Sequence, residues 1–324
     1  MRIALDAMGS DNAPAPELIG MKLSLEDFPD LEIMLVGNEK ILRRYDLPEN
    51  DNRWSIFNAE QIIEMHESPS LALKSKDNSS IAQAIKLHKD NKVSAVVSAG
   101  NTGAIMAFAM TILGTVSGVD RPALAAIFPS LQGSSLIIDI GANVNVKPTN
   151  LLQFGIMGTI VAGYLFNKPN PTVGLLNIGK EENKGTETIQ SAYRLLKQSG
   201  LNFIGNIEGQ DIFKGNCDVI VCDGFVGNIL LKFGEGFVES IKTVLAELGT
   251  EYRVRKWLSK PLMGKFIDRL DYEEYGGALL LGVNGTIIIA HGRSTEKALK
   301  NAIKTAYEAV QKKISEHIAD KFKA

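Results

Sequence analysis

The chain has 324 residues, 45% of them hydrophobic and 22% charged, with a formal net charge of −2. A sizeable core is therefore available, intrinsic disorder is excluded, and a nucleic-acid binder that uses its whole surface is disfavoured. Cys217 and Cys222 are the only cysteines and His66, His88, His291 and His317 the only histidines. None has metal-ligand spacing, so no metal site and no disulfide framework are expected, and the composition suits a reducing cytosol.

Arg2 to Ala7 reads as a first strand, with Asp6 interrupting any signal-peptide apolar stretch. It ends in the turn Met8-Gly9-Ser10-Asp11-Asn12-Ala13-Pro14. A helix over about 16–26, a strand over 31–37, a short helix over 39–45, a possible strand over 54–58 and a helix or loop over 69–75 follow. Ser80 with Gln83 fits a capping box for a helix reaching His88. Val93 to Val97 is a short β-branched strand that runs through Ser98-Ala-Gly-Asn-Thr-Gly103 into an apolar helix over about 102–113. Such a strand–turn–helix aims free N–H groups and a helix dipole at one point, which suits a phosphate or an oxyanion; the alternative is a tight turn with glycine for geometry alone.

Ala123 to Phe128 and Ser135 to Asp139 read as a strand pair, followed by a loop over 141–148 and a helix over 151–166. No residue from Ser94 to Val119, or from Pro148 to Asn167, is charged. Both stretches reach the ~20 residues that span a bilayer. Their polar turn residues and glycines favour helices buried in a protein core. Strands over 172–178, 203–205 and 219–223, helices over 185–198 and 228–248, a mixed apolar stretch over 279–289 and a last helix over 295–318 complete the chain. Alternating strands and helices predict an α/β fold, a mainly parallel sheet with helices on both faces. With no linker or repeat, the expectation is one domain over 1–324, allowing a protruding helical subdomain at about 235–275.

Ligands in such sheets sit beyond the carboxyl ends of the strands. Here those ends read Asp6-Ala-Met-Gly9-Ser10-Asp11, Ser98-Ala-Gly100-Asn101-Thr102-Gly103, Asp139-Ile-Gly141-Ala-Asn143, Asn177-Ile-Gly179 and Asp223-Gly-Phe-Val-Gly227-Asn228. Five polar, glycine-rich turns favour a shared pocket over turns chosen for backbone geometry. Lys184, just before a helix start, is a candidate phosphate cation or a solvated lysine. Gly174 to Lys180 matches Gly-x4-Gly-Lys, but Glu181 follows and its middle residues belong to a strand, so it is not a nucleotide P-loop. No GxGxxG follows a strand. His291, in His291-Gly-Arg-Ser294, is a candidate general acid or a turn residue.

These motifs, in this order, resemble the phosphate acyltransferases of bacterial phospholipid synthesis (the PlsX family). The resemblance rests on Met8-Gly-Ser-Asp-Asn-Ala-Pro14, Ser98 to Ala104, Asp139 to Asn143 with Pro148, and Leu175 to Gly179 with Glu182, Lys184 and Gly185. It rests equally on Asp223 to Asn228 with Lys232, on Tyr275-Gly-Gly-Ala278 and on His291 to Ser294, and so covers nearly the whole chain. Family members usually carry Gly where Ser10 stands and often His where Asn12 stands, so any proton transfer by that His is absent here.

The resemblance implies a three-layer fold similar to phosphotransacetylases and the isopropylmalate dehydrogenase group, a homodimer, and no metal, nicotinamide or other cofactor. It also implies attack of inorganic phosphate on the thioester of long-chain acyl-acyl carrier protein (acyl-ACP), giving acyl phosphate for a membrane glycerol-3-phosphate acyltransferase. Phosphate is its own nucleophile, so the absence of an evident Ser–His or Cys–His pair fits; Cys222 as an acyl nucleophile is the covalent alternative. The expected site has Lys184, Asn101 and Thr102 on phosphate and Asn143 or Asn228 on the oxyanion, with His291, Gly9, Ser10, Asp11, Ser98, Gly103, Asn177, Gly179, Asp223 and Gly227 around them. A CoA-dependent phosphotransacylase and a membrane-bound scaffold are the other function classes considered.

The basic, apolar stretch from Tyr252 to Leu270 suits a membrane surface, the acidic surface of acyl carrier protein, or a solvated helix. Arg255, Lys256 and Lys260 would supply the charge, and Trp257, Leu258 and Leu262 the apolar contact. The expected location is cytoplasmic, with peripheral association at the inner face of the membrane.

Overall fold

The structure, a computed structural model, describes residues 1–48, 51–251 and 276–323. The 252–270 segment and Tyr275 lie outside the described residues, and with them the expected contacts of Arg255, Lys256, Trp257, Leu258, Lys260 and Leu262. In chain order the elements are β1 (Arg2–Asp6), α1 (Ala15–Asp27), β2 (Glu32–Gly37), α2 (Glu39–Leu42), β3 (Trp54–Asn58), α3 (Pro69–Ser75), α4 (Ser80–Lys89), β4 (Ala95–Ser98) and α5 (Thr102–Ile112). Then come β5 (Ala123–Ser130), β6 (Gly133–Ile138), α6 (Pro148–Leu165), β7 (Val173–Leu176), α7 (Glu187–Gln198), β8 (Phe203–Ile207), α8 (Gly209–Ile212), β9 (Val219–Val221) and α9 (Gly224–Glu251). Last are β10 (Ala278–Leu281), β11 (Ile287–Ile289), α10 (Glu296–Gln311) and α11 (Ile314–Lys323). The mainly parallel sheet with surrounding helices is as the sequence predicts. Two compact units are present, Met1–Ala126 with Tyr275–Ala324, and Ile127–Glu274.

In the first unit the strand order is β3-β2-β1-β4-β11-β10-β5. The first five of these run parallel, and β10 is antiparallel to both its neighbours. The chain winds outward from β1 to β3 and then returns to β4 on the other side of β1. Right-handed crossovers therefore place α1 and α4 on opposite faces. With both faces covered, the inner strands become continuous apolar runs: Ile3, Ala4 and Leu5 of β1 and Ala95 and Val97 of β4 have no exposed surface. Gly20 lets α1 lie close along α10, since a Cβ there would stand 3.0 Å from the Leu299 Cβ and 3.2 Å from the Glu296 carbonyl.

Two local readings are corrected, at the cap of α4 and at the end of the last helix, and the mixed 279–289 stretch is resolved into its elements. The cap of α4 is Ser79, whose hydroxyl accepts from the Ala82 amide at 3.3 Å, while Gln83 turns back to the Asp77 carbonyl; the box is not closed by Ser80. The 279–289 stretch is two antiparallel strands, parted after Gly282 (φ 86°). The last helix breaks at Lys313, held in the left-handed region at φ 49°, and α11 starts a new apolar stripe with buried Ile314 and Ile318.

In the second unit β6-β9-β7-β8 are all parallel. The uncharged α6 lies on this sheet through Gly158, where a Cβ would stand 2.5 Å from the Val219 side chain. Its apolar character thus serves burial against strands. Among the described residues no helix is long and apolar enough to cross a membrane.

Candidate active site

The five polar turns stand at strand carboxyl ends, as the sequence predicts, and they form two sets, one in each unit.

The first set joins the ends of β1 and β4. Asp6 is fully buried; its Oδ1 accepts from the Met8 amide at 3.1 Å and its Oδ2 from the Ser98 hydroxyl at 2.6 Å. Ser98 Oγ in turn accepts from the Gly100 amide at 3.1 Å. Gly9 packs directly on this turn, where a Cβ would come within 2.7 Å of the Gly100 nitrogen. Burial raises the Asp6 pKa, and the hydrogen bonds from Ser98, Ser80 and Met8 oppose that rise.

Asn101 caps α5, accepting from the Ala104 amide at 3.0 Å. Its own amide nitrogen donates to the carbonyls of Glu64, Met65 and Glu67 at 3.2, 2.9 and 2.9 Å. The residue expected to hold phosphate is thus engaged in fastening the 64–67 loop to the start of α5. Thr102, next along, is exposed, and Gly103 sits against Pro69. The Asp11 amide donates to the Gly292 carbonyl at 2.8 Å, and His291 Nδ1 accepts from the Arg293 amide at 3.1 Å, closing its own turn.

Sequence reasoning missed Glu17. It reaches back from α1 to the preceding turn, where its Oε1 accepts from the Ser10 amide at 3.2 Å. It is fully buried, and desolvation lifts its pKa from 4.5 to about 7, with the nearby Asp6 adding a smaller rise. Glu17 Oε2 and Ser10 Oγ are both buried with no hydrogen-bond partner among the described residues. An acid in the first turn of a helix reads from sequence as a solvated dipole partner, so nothing in the pattern signals burial.

The second set is built around Asp139, at the end of β6. Its Oδ1 accepts from the amides of Gly141 and Ala142 at 3.1 and 2.9 Å. Its Oδ2 accepts from the Asn143 amide at 2.7 Å and the Asn143 side chain at 2.9 Å. The Asn143 carbonyl takes the Gly224 amide at 2.7 Å, tying this loop to the first turn of α9. That approach demands glycines. A Cβ at Gly224 would lie 2.7 Å from the Asn143 nitrogen, and one at Gly227 would land on the Asp139 carbonyl oxygen. Asp223 caps α9, accepting from the Val226 amide at 2.9 Å. Asn228 is exposed one turn along, and its side-chain amide has no partner among the described residues.

Cys222 is buried at the end of β9, its thiol against the Asp139 carbonyl at 3.3 Å. Burial, with the Asp139 and Asp223 carboxylates beside it, raises the thiol pKa well above its ordinary value. A thiol kept protonated in this way is a poor acyl nucleophile.

Asn177, at the end of β7, shapes the loop that carries Lys184. Its Oδ1 accepts from the Ile178 amide at 2.8 Å and its amide donates to the Lys184 carbonyl at 3.0 Å. Gly185 fits against it in the left-handed region (φ 83°), and Asn206 holds the Glu181 carbonyl at 2.8 Å. Buried Gly179 packs against Glu181 and Lys184. Lys184 itself is exposed and has no carboxylate partner among the described residues, whereas Lys180, Lys197 and Lys214 nearby are all paired.

Between these turns lies a cleft of about 560 Å³ within the second unit, at the carboxyl ends of β7 and β9. Its floor includes Leu176 and Cys222, and its walls Val144, Val146, Ile189, Val226 and Leu230. Asn145, Asn177, Thr186, Thr188 and Asp223 are its polar lining residues. Two lining residues are strongly exposed for apolar side chains, Ile178 at 82% and Val144 at 62%. Large exposed apolar groups around a concave site mark a surface that a ligand covers.

The fold is that of the phosphotransacetylase class. A phosphotransacetylase from Streptococcus pyogenes superposes with a TM-score of 0.61 at 15% identity, covering 96% of this chain and 94% of that one. The EutD phosphotransacetylase from Staphylococcus aureus gives 0.59 at 14% identity with the same coverage. At such identities the likeness speaks for the fold alone. The sequence goes further: the family model described as a fatty acid synthesis protein matches residues 1–317. The phosphate acyltransferase of Pelotomaculum thermopropionicum is 48% identical over 328 residues, covering 98% of this chain and 94% of its own. The chain belongs to this phosphate acyltransferase family, as its ordered motifs predict.

Proposed function

We propose that this chain transfers a long-chain fatty acyl group from the thioester of acyl-ACP to inorganic phosphate, giving acyl phosphate and free carrier protein. The observation that carries the reading is the mostly apolar cleft, lined in part by Gly185, next in the chain to Lys184, which has no carboxylate partner among the described residues. A cavity of about 150 Å³ holds the six carbons of benzene, so on that scale the cleft has room for roughly 20 carbons.

A phosphate oxygen attacks the thioester carbonyl carbon, forming the C–O bond. Charge develops on the carbonyl oxygen, the C–S bond breaks, and the carrier's thiolate leaves and takes up a proton. Lys184 is the cation for phosphate. Asn228 serves the oxyanion in preference to Asn143, because the Asn143 amide already donates to Asp139 whereas that of Asn228 has no partner among the described residues. One such donor is worth ~2.7–4 kcal/mol where measured. In the first unit Asn101 acts by fixing the start of α5.

The reading includes a homodimer and a peripheral place at the cytoplasmic face of the membrane, where a glycerol-3-phosphate acyltransferase would consume the labile product. Phe225, Ile229, Phe233 and Phe237 support a covering partner: they recur every four residues along α9 and are 47–64% exposed.

The test uses purified protein, phosphate and palmitoyl-ACP, with hydroxylamine trapping acyl phosphate as the hydroxamate. Phosphate-dependent hydroxamate is expected from palmitoyl-ACP and little from palmitoyl-CoA. The reverse preference would make the chain a CoA-dependent phosphotransacylase, and no product from either donor would overturn the enzyme reading.

A further inference from the structure

We propose that the loop over residues 144–147 is the docking site for the pantetheine arm of the acyl donor, with Asn145 bonding an amide of the arm and Lys147 its phosphate. The inference rests on the acyl-transfer reading and names the part of the donor that this edge of the cleft recognises.

A carrier protein is far larger than a cleft of about 560 Å³, so its thioester reaches the cleft only on a thin arm that crosses the rim. In carrier and CoA thioesters alike that arm is pantetheine. Going outward from the sulfur it presents two secondary amides, a geminal dimethyl group and a phosphate. A rim that holds it needs a hydrogen-bonding group, an apolar contact and a cation, in that order outward.

Most of the polar groups lining the cleft are already committed. Asn177 uses both its oxygen and its amide on the loop that carries Lys184. Thr186 caps α7, accepting from the Ile189 amide at 3.4 Å, and Asp223 caps α9. Asn145 and Thr188 have no side-chain partner among the described residues. Thr188 is half-buried with a single hydroxyl. Asn145 is exposed, and its side chain carries a separate carbonyl and NH2, which match the N–H and C=O of a secondary amide.

The neighbours of Asn145 complete the pattern. Val144, 62% exposed, and Val146 line the cleft on either side of it. Lys147 follows, exposed and with no carboxylate partner among the described residues. In pantetheine the outer amide stands about six bonds, or roughly 7 Å, from the phosphorus, and two residues of extended chain span at most about 7 Å. Amide, methyl groups and phosphate thus match Asn145, Val146 and Lys147 in kind and in spacing.

The backbone under these side chains is pinned at both ends. Asp139 holds the amides of Gly141, Ala142 and Asn143. The Lys147 amide donates to Asn150 Oδ1 at 2.8 Å, and the Lys147 carbonyl accepts from the Asn150 amide at 3.0 Å. A loop ordered in advance loses little freedom when the arm docks.

The experiment compares holo-ACP with apo-ACP, which differ only by the arm, as ligands in calorimetric titrations. The proteins are the full chain, Asn145→Ala and Lys147→Ala; both side chains are exposed and unpaired among the described residues, so truncation leaves the fold intact. The parent should bind holo-ACP more tightly than apo-ACP. Each variant should lower the holo-ACP affinity by about three- to tenfold, the scale of one hydrogen bond, with the apo-ACP affinity held within about twofold. In turnover the KM for palmitoyl-ACP should rise by the same factor while the phosphate KM stays put. Equal loss of holo- and apo-ACP binding would put the contact on the carrier's own surface and overturn the assignment, as would unchanged binding of both. A response from one variant alone would overturn the two-point assignment.

CoA probes the same arm without the carrier. Should the parent transfer acyl groups only from CoA, the carrier reading fails, and weaker CoA binding in both variants keeps the arm site. Should the parent transfer no acyl group from either donor, the transfer reading fails, and a holo-over-apo preference erased by both variants still establishes the site. No preference for holo-ACP and no affinity for CoA would overturn it.

Discussion

In the first unit the turns after β1 and β4 direct their polar groups at one another. Asp6 takes Ser98 and Met8, Ser98 takes Gly100, and Glu17 takes Ser10, all buried. In the second unit the turns after β6, β7 and β9 are tied just as firmly, through Asp139, Asn177 and Asp223, but the ties run along the edge of a cleft. Lys184 and Asn228 are exposed, and among the described residues their side chains have no hydrogen-bond or ion-pair partner. Similar turn chemistry thus yields a closed polar knot in one place and an open binding surface in the other. What separates them is where the unused hydrogen-bonding capacity lies: buried in the first set, at Glu17 Oε2 and Ser10 Oγ, and exposed in the second, at Lys184 and Asn228.

The largest test of this contrast removes the close approach under the second set. Gly227→Ala forces a methyl group onto the Asp139 carbonyl oxygen, with backbone on both sides and nothing flexible to yield. The loss should be about 3 kcal/mol or more by urea denaturation, together with loss of acyl transfer. Wild-type stability would mean that the Asp139 loop is looser than its four hydrogen bonds imply.

Glu17 tests the closed set. Its pKa is raised from 4.5 to about 7, so the folded state favours the protonated acid. The associated stability is complete below about pH 4.5 and is lost as pH rises through about 7, by up to ~3 kcal/mol in all. Glu17→Gln should therefore be more stable than the parent at pH 8 than at pH 5, relative to the parent at each pH. Parallel pH profiles of the urea midpoint would show that the carboxyl is solvated after all.

Lys184 sharpens the open set and carries the smallest expected effect. Lys184→Ala should raise the phosphate KM or lower turnover by about tenfold, the scale of one charged hydrogen bond, with stability little changed because the exposed ammonium makes no ion pair among the described residues. Wild-type phosphate kinetics would remove it from the site.

Much of the architecture is legible in the sequence because burial on both faces writes itself as uninterrupted apolar runs. Val93 to Ser98 and the segment from Leu151 onward are examples. The turns were legible for a related reason: glycine, asparagine and aspartate cluster where a strand must turn sharply into a helix. What each polar side chain does there was not. Asn101 and Asn228 look alike in the sequence, yet one amide meets three carbonyls from the 64–67 loop and the other meets none among the described residues. Such partners are distant in the chain, and local pattern carries no record of them. The same holds for Glu17, whose burial comes from tertiary packing. The boundary between the two units was hidden because it falls inside β5, at Ala126, where the composition is that of a strand. The end of the α10 stripe at Lys313 was hidden by a positive φ on an ordinary lysine.

The four donors gathered on Asp139 also bear on the thermodynamics of recognition. A loop already wrapped around a buried carboxylate has surrendered its conformational freedom during folding. Little entropy is then left to lose when a substrate arrives, and binding energy goes to orienting the reacting groups instead of ordering the protein. Affinity at this edge of the cleft should accordingly be governed by enthalpy and by water released from the apolar walls.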